Sequence, residues 1–295
     1  MGRGDVGDRS ALAAALAITA GFMLVEVAGS VLSGSLSLIS DAAHMLTDSL
    51  ALTLSLGAVI IADRLPTKGR TFGYHRLEVL AAFINGLLLV LIAAVIIMEA
   101  VDRLFSPPPV GGALMGVVGL IGLGANLVVA WMLHGREDLN VRAAFFHVVS
   151  DTLSSAAVVV AAAWIALTGQ SIVDPLLSIG IAAFILISSS AILRESGGIL
   201  LQYAPPGVDL DEVVVAIESV EGVSGVHNVH LWSLCSHINI LDAHVVVDTD
   251  DFAAVEEIKR EIKCRLSSFE VNYSTLEFER EPCPSCSVVC TIPAD

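Results

Sequence analysis

Charged residues are scarce in this sequence, and their scarcity limits the class of protein. Only 16% of the 295 residues are charged, whereas 55% are hydrophobic, and the mean hydropathy is +0.79. A soluble globular domain carries about 25% charged residues. The composition therefore excludes an ordinary soluble protein and predicts a membrane-embedded part.

Basic residues are especially few near the C-terminus. Residues 207–295 hold 17 acidic and 5 basic side chains, so this segment carries −12 of the formal net charge of −16. A surface that binds nucleic acid has to be basic, because it contacts phosphates. The sequence therefore predicts no nucleic-acid partner. An acidic surface attracts cations or simply keeps a domain soluble, and composition leaves both readings open.

Cysteine does not occur in the first 234 residues. All five cysteines lie in the acidic segment: Cys235, Cys264, Cys283, Cys286 and Cys290. Five is an odd number, and the orientation predicted from the basic residues places them in the cytosol, where disulfides are rare. Metal binding or inert burial is the better expectation for these thiols.

Long apolar windows predict six transmembrane helices, since a span needs about 20 predominantly apolar residues. The windows are about 11–32, 36–62, 78–101, 112–133, 143–168 and 174–193. Polar or helix-breaking stretches separate them. The first window is too long for a signal-peptide core and has no small-residue cleavage site, so it is predicted as a span.

Basic residues give the orientation. With a cytosolic N-terminus, the predicted outer loops hold only Arg103, and the inner segments hold nine basic residues. These are Arg3, Arg9, Arg64, Lys68, Arg70, Arg76, Arg136, Arg142 and Arg194. This positive-inside bias predicts that both termini lie in the cytosol.

The chain is predicted to have two domains, a six-helix transmembrane domain at 1–206 and a cytosolic domain at 207–295. Beyond a Pro-Pro-Gly linker, helical spacing at 210–220 and 252–266 alternates with strand patterns at 226–233, 238–247 and 273–279. The order αββαβ predicts a small sheet backed by two helices, of the ferredoxin or metallochaperone kind.

One short motif occurs in both the second and the fifth predicted span. His44 precedes Asp48 by four residues, and His147 precedes Asp151 by four. This spacing places each pair on one helix face. Ionisable side chains at membrane depth are expensive and normally mark a substrate or proton pathway. Two imidazoles and two carboxylates form a tetrahedral ligand set that suits Zn²⁺, although helix-packing hydrogen bonds are the structural alternative.

The sequence resembles the cation diffusion facilitator family over nearly its whole length. The resemblance rests on SLSLISDAAHMLTDSLAL, FGYHRLEVLAAFINGL, FFHVVSDTLSS and VHNVHLWSL. It implies six spans, an αββαβ cytosolic domain, a homodimer, and export of divalent metal coupled to proton entry. Matched residue by residue, it implies a transport site of His44, Asp48, His147 and Asp151, in the pattern of the zinc-preferring branch.

The resemblance also implies a regulatory metal site in the cytosolic domain, formed by His230, His244 and Glu279. Cys283 and Cys286 add a CxxC spacing that suits soft metals, but a lone CxxC is a weak signal. The expected metal is Zn²⁺, transported and also regulatory.

The compact length and the lack of a His-rich loop between spans four and five favour the plasma membrane of a prokaryote.

Asp41 lies three residues before His44, where we expect it to act as a direct ligand, as a hydrogen-bond partner of the ligands or as an entry residue of the pathway. The loop at 63–76 holds a single histidine, His75, so no complete extra metal site is expected within it.

A membrane-embedded metalloenzyme and a metal sensor are the alternative functions, but HExxH and repeated histidine boxes do not occur in the sequence.

Overall fold

The chain forms two compact units. The computed structural model describes residues 3–46, 49, 67–134, 139–281 and 287–289, without the side chains of 3–13, 15, 139–144, 146 and 147. The first unit comprises Met1–Leu56 and Ile84–Leu193, and the second comprises Gly57–Phe83 and Arg194–Asp295.

The described residues of the N-terminal two thirds form six helices. The helices are α1 (Arg3–Ser33), α2 (36–46), α3 (His75–Phe105), α4 (Gly112–Leu133), α5 (Leu139–Thr168) and α6 (Val173–Leu200). All but α2 are long and apolar enough to cross a membrane, which confirms five predicted spans. The second predicted span, 36–62, is helical over 36–46, and most of its remainder lies outside the described residues.

A sharp reversal joins α1 to α2. Gly34 takes a left-handed conformation (φ 73°) that favours glycine. The buried Asp174 carboxylate, at the start of α6, then accepts hydrogen bonds from the backbone N–H groups of Leu36 (2.7 Å) and Ser37 (3.1 Å). It also accepts from the hydroxyls of Ser35 (2.6 Å) and Ser37 (2.7 Å). A carboxylate from another helix thus satisfies the free N–H groups that begin α2.

Small residues let α4 approach its neighbours closely. The Phe22 ring of α1 lies where a side chain at Gly122 of α4 would stand. In a bilayer the lipid tails are as apolar as the side chains, so the hydrophobic effect does not hold helices together. Close contacts at small residues favour helix packing there. Asn126 of α4 donates a hydrogen bond to the Ser155 hydroxyl of α5 (3.1 Å), so a buried polar contact also links these two helices.

The C-terminal residues form a small mixed sheet backed by two helices. The elements are α7 (Leu210–Glu218), β1 (Val223–Cys235), β2 (Ile238–Val247), α8 (Phe252–Leu266) and β3 (Val271–Glu279). Strand β2 is central, antiparallel to β1 and parallel to β3. The predicted αββαβ order is confirmed, and the predicted bounds of β2 and α8 match those observed.

Alternation along the strands builds the core of this sheet. Leu241 and Val245 of β2 are fully buried, and they pack in one cluster with Ile217 of α7 and Ile262 of α8. Aspartates cap both helices, since Asp209 and Asp251 accept hydrogen bonds from the first turns of α7 and α8.

The unit that holds the sheet also contains helix ends. Val79 in the second turn of α3 and Ile199 at the end of α6 form a buried cluster with Cys235 at the end of β1. Ile238, at the start of β2, packs against the same cluster. The β1–β2 hairpin is therefore fixed to the starting turns of α3 and the last turn of α6.

Candidate metal sites

A buried histidine and a buried aspartate meet between α2 and α5. His44 Nε2 lies 3.5 Å from Asp151 Oδ1, and the two residues are only 8% and 4% exposed. The ring of Phe184 stands edge-on to the His44 ring, with centroids 5.5 Å apart. The structure therefore brings one predicted nitrogen ligand to one predicted oxygen ligand at a separation that a shared cation would bridge.

A second contact between the same helices lies one turn away. Ser154 of α5 donates a hydrogen bond to the Asp41 carboxylate of α2 (2.5 Å). Asp41 is 3% exposed and also hydrogen-bonds with Glu26 of α1. Since residues three apart share a helix face, Asp41 lies beside the His44–Asp151 pair and is held by protein groups.

Several predicted ligands lie outside the described part of the chain. Asp48 is among them, and so are Cys283 and Cys286. His147 belongs to α5, one turn before Asp151, but its side chain is not described. The four-ligand transport site and the CxxC site therefore stay predictions.

Three strands of the C-terminal sheet place two histidines and a glutamate together. Glu279 at the end of β3 contacts His244 Nδ1 through Oε1 (2.6 Å) and His227 Nε2 through Oε2 (3.2 Å). Ligand atoms of His227, His244 and Glu279 all lie within 4.8 Å of one another. Two nitrogens and a carboxylate oxygen are donors that Zn²⁺ accepts.

The predicted ligand His230 occupies a neighbouring position. Its Nε2 hydrogen-bonds with Asn228 Oδ1 (3.2 Å), and the Asn228 amide also contacts His244 Nε2 (3.0 Å). The structure thus brings His244 and Glu279 together with His227. His230 is connected to these residues through Asn228.

A β-bulge explains this arrangement. Asn228 has φ 50°, and the β1–β2 register shifts between His227, opposite His244, and His230, opposite Asp242. Residues three apart in a regular strand point to opposite faces, but one extra residue restores them to the same face.

The sequence carries a signal for this bulge. Asparagine is depleted in strands but tolerates the left-handed conformation, and Asn228 interrupts a run of strand-forming residues. If β1 is assumed to pass through Asn228 without a bulge, His227 and His230 point to opposite faces of the sheet. Only one of them is then predicted to lie on the same face as His244.

Comparison with known families agrees with this architecture. Residues 12–201 match the model of the cation efflux transmembrane domain, and residues 205–279 match that of the cation efflux protein cytoplasmic domain. The chain belongs to the cation efflux family. The two matched regions together cover the sheet and all the helices except the first residues of α1, and they confirm the resemblance drawn from the motifs.

Curated relatives are similar over most of their length. The chain is 40% identical to the zinc transporter ZitB of Escherichia coli, with 92% of this chain and 88% of the relative aligned. It is 38% identical to the cadmium, cobalt and zinc/H(+)-K(+) antiporter of Bacillus subtilis (88% and 86%). It is 40% identical to the metal cation efflux system protein CzcD of Cupriavidus metallidurans (94% and 88%).

Membership of this family establishes the general activity. The protein is an integral membrane transporter that exports divalent cations, and it is not an enzyme. The His44–Asp151 pair and the cluster of His227, His244 and Glu279 are therefore metal-site candidates in a metal transporter.

Proposed function

We propose that this protein exports Zn²⁺ from the cytosol in exchange for protons. The cation binds in a tetrahedral site of His44, Asp48, His147 and Asp151. The observation that carries the proposal is the buried contact between His44 Nε2 of α2 and Asp151 Oδ1 of α5, one residue from each copy of the His-x-x-x-Asp motif. Relatives named for zinc, cadmium and cobalt support a borderline divalent cation.

Proton coupling follows from the ligand chemistry. Metal binding requires neutral imidazole and ionised carboxylate, so it competes directly with protonation. An unperturbed imidazole titrates near pH 6.5, which is close to the pH values found on the two sides of a cell membrane. When the site opens to a more acidic side, protons displace the metal; when it opens to the cytosol, metal displaces protons. Alternation between these two states yields antiport.

Transport into proteoliposomes tests the site. Purified protein is reconstituted under a set pH gradient, and zinc uptake is followed with a dye inside the vesicles, with cadmium and cobalt as competitors. Asp151→Ala removes an oxygen ligand, so we expect uptake to be lost while the variant stays folded. Asp102→Ala removes an exposed carboxylate at the end of α3 and serves as the matched control. Wild-type uptake by Asp151→Ala would contradict the assignment.

The cytosolic cluster of His227, His244 and Glu279 is proposed to bind Zn²⁺ as a regulator, and Cys283 and Cys286 are proposed as additional ligands. The protein acts as a homodimer, in agreement with the dimerising type of its cytoplasmic domain. Its other partners are membrane lipid and the counter-transported protons, with no role for nucleic acid.

Both termini are proposed to lie in the cytosol, in the plasma membrane of a prokaryote. The contact of the β1–β2 hairpin with the start of α3 and the end of α6 supports this orientation. If the sheet domain lies in the cytosol, these two helix ends lie on the cytosolic side, which is the side that the positive-inside bias predicts for them. The boundary between the membrane and cytosolic domains is proposed near residue 206, close to where the first matched family region ends (201) and the second begins (205).

A further inference from the structure

A third cluster of metal-binding side chains lies away from both sites discussed so far. Ligand atoms of His75, Cys235 and His237 lie within 4.8 Å of one another. The Cys235 sulfur is 3.8 Å from His237 Nδ1 and 3.7 Å from Nε2. Donors bound to one tetrahedral Zn²⁺ stand roughly 3.3–3.6 Å apart, given Zn–S of about 2.3 Å and Zn–N of about 2.0–2.1 Å. Small side-chain movements would therefore bring all three onto one ion.

The backbone supplies these ligands from two separate elements. His75 is the first residue of α3. Cys235 ends β1 and pairs with Ile238, which leaves Ser236 and His237 as a two-residue hairpin tip. Cys235 is fully buried against Val79 of α3, so its position is set by packing and does not depend on an ion.

Unsatisfied polarity at His75 points to a missing partner. Its Nδ1 is buried and has no hydrogen-bond partner among the described residues. A buried polar atom without a partner is costly and calls for an explanation such as an ion. The His75 ring stands nearly perpendicular to that of His237, with centroids 6.5 Å apart. Glu78, one turn along α3, acts electrostatically on Cys235 and adds negative charge that favours a cation.

We propose that His75, Cys235 and His237 form a Zn²⁺ site that ties the start of α3 to the β1–β2 hairpin. A thiolate and two imidazoles select zinc or cobalt over the hard cations magnesium and calcium. Three protein ligands leave the fourth tetrahedral position for water. Because the site joins the sheet domain to the first turn of a spanning helix, metal occupancy stiffens that joint. The site is independent of the transport ligands.

Cobalt provides a probe that reports on this site alone. A thiolate bound to Co²⁺ gives a charge-transfer band in the near ultraviolet. The transport site contains no sulfur, and the cluster of His227, His244 and Glu279 contains none once Cys283 and Cys286 are replaced, so neither then contributes to that band. Full-length protein is purified with Cys283, Cys286 and Cys290 replaced by serine, which leaves only Cys235 and Cys264.

We expect this background protein to show the band on addition of Co²⁺ and to lose it on addition of Zn²⁺. Cys235→Ser should abolish the band, and the exposed Cys264→Ser is the matched control that retains it. His237 is exposed at the hairpin tip, so His237→Ala leaves packing intact. It should weaken cobalt binding at least roughly tenfold, the loss seen even for outer-shell partners. Circular dichroism and gel filtration confirm that each variant is folded.

Two results would overturn the proposal. One is a background protein without the band. The other is a band of unchanged intensity and affinity in folded His237→Ala. Neither result bears on zinc transport, so the outcome is separable from that of the transport assay.

Discussion

His44 and Asp151 offer a cation different kinds of ligand. The imidazole nitrogen is a borderline donor that suits zinc, whereas a carboxylate oxygen is hard and carries a charge. Both residues of this 3.5 Å contact are buried, so solvent cannot replace either side chain as a ligand when that residue is substituted. Selectivity should therefore respond to substitution at His44.

Replacement of His44 by aspartate tests this directly. His44→Asp adds an oxygen ligand and a negative charge, so we expect manganese and cadmium transport to rise relative to zinc. Competition assays in proteoliposomes measure the ratio. An unchanged metal profile in a variant that still transports would exclude His44 as a direct ligand.

Two neighbouring histidines of β1 provide a second test. His227 contacts Glu279 and faces His244, whereas His230 contacts Asn228. We expect His227→Ala to weaken zinc binding to the cytosolic domain by about tenfold or more, by analogy with other lost supporting contacts. His230→Ala, the matched control, should change it far less. The measurement is zinc titration of full-length Asp151→Ala protein, and a larger loss with His230→Ala would reverse the assignment.

At the residue scale, the sequence predicts ligand chemistry better than ligand geometry. The repeated motif predicts His44 and Asp151 because helical spacing is regular, and the structure brings them together. Regular strand alternation does not predict His227 as a ligand, because a single left-handed residue, Asn228, changes which side chains share a face. The cluster at His75 is not predicted either, because its ligands are 160 residues apart in sequence and meet only through packing.

The joint between α1, α2 and α6 rests on one buried carboxylate. Asp174 accepts two backbone and two hydroxyl hydrogen bonds, all from residues 35–37. Its loss would leave the N–H groups of Leu36 and Ser37 buried without an acceptor. Each such group costs about 1–3 kcal/mol. This joint orients the helix that carries His44.

Asp174→Ala should therefore lower the melting temperature of the purified protein and reduce transport. Asp174→Asn keeps one acceptor oxygen, so we expect an intermediate loss of stability. Thermal unfolding in detergent, followed by circular dichroism, measures both variants against Asp102→Ala, which removes an exposed carboxylate. Equal melting temperatures for Asp174→Ala and the wild type would show that the hydrogen bonds are dispensable.

At the element scale, most of the architecture is readable from the sequence. Apolar windows predict the spans because the bilayer sets their length. Strict alternation predicts β2, and helical spacing predicts α8, each with its observed bounds. Strand β1 is longer than predicted at both ends, since its observed bounds are Val223–Cys235. Its C-terminal extension to Cys235 brings the hairpin tip to α3, and that contact depends on tertiary packing.

The whole molecule concentrates its negative charge in the sheet domain, where residues 207–295 carry −12 of the net −16. Two such domains in a homodimer repel one another. A cation bound at His227, His244 and Glu279 in each copy reduces that repulsion and favours a closed arrangement. A ligand shifts such an equilibrium only by its difference in affinity for the two arrangements.

Zinc should consequently shorten the distance between the two domains of the dimer. Cys264 lies exposed on α8 and provides one spin-label position per copy in a protein whose other cysteines are replaced by serine. We expect the distance between labels to decrease on zinc addition, because bound cations offset the repulsion. His227→Ala with His244→Ala should reduce that change and lower transport without abolishing it, since the transport ligands stay in place. Calcium, a hard cation that nitrogen ligands disfavour, is the matched control for general charge screening. Equal distances with and without zinc would leave the sheet domain with dimerisation as its only role, and equal shortening by calcium would assign the effect to the acidic surface as a whole.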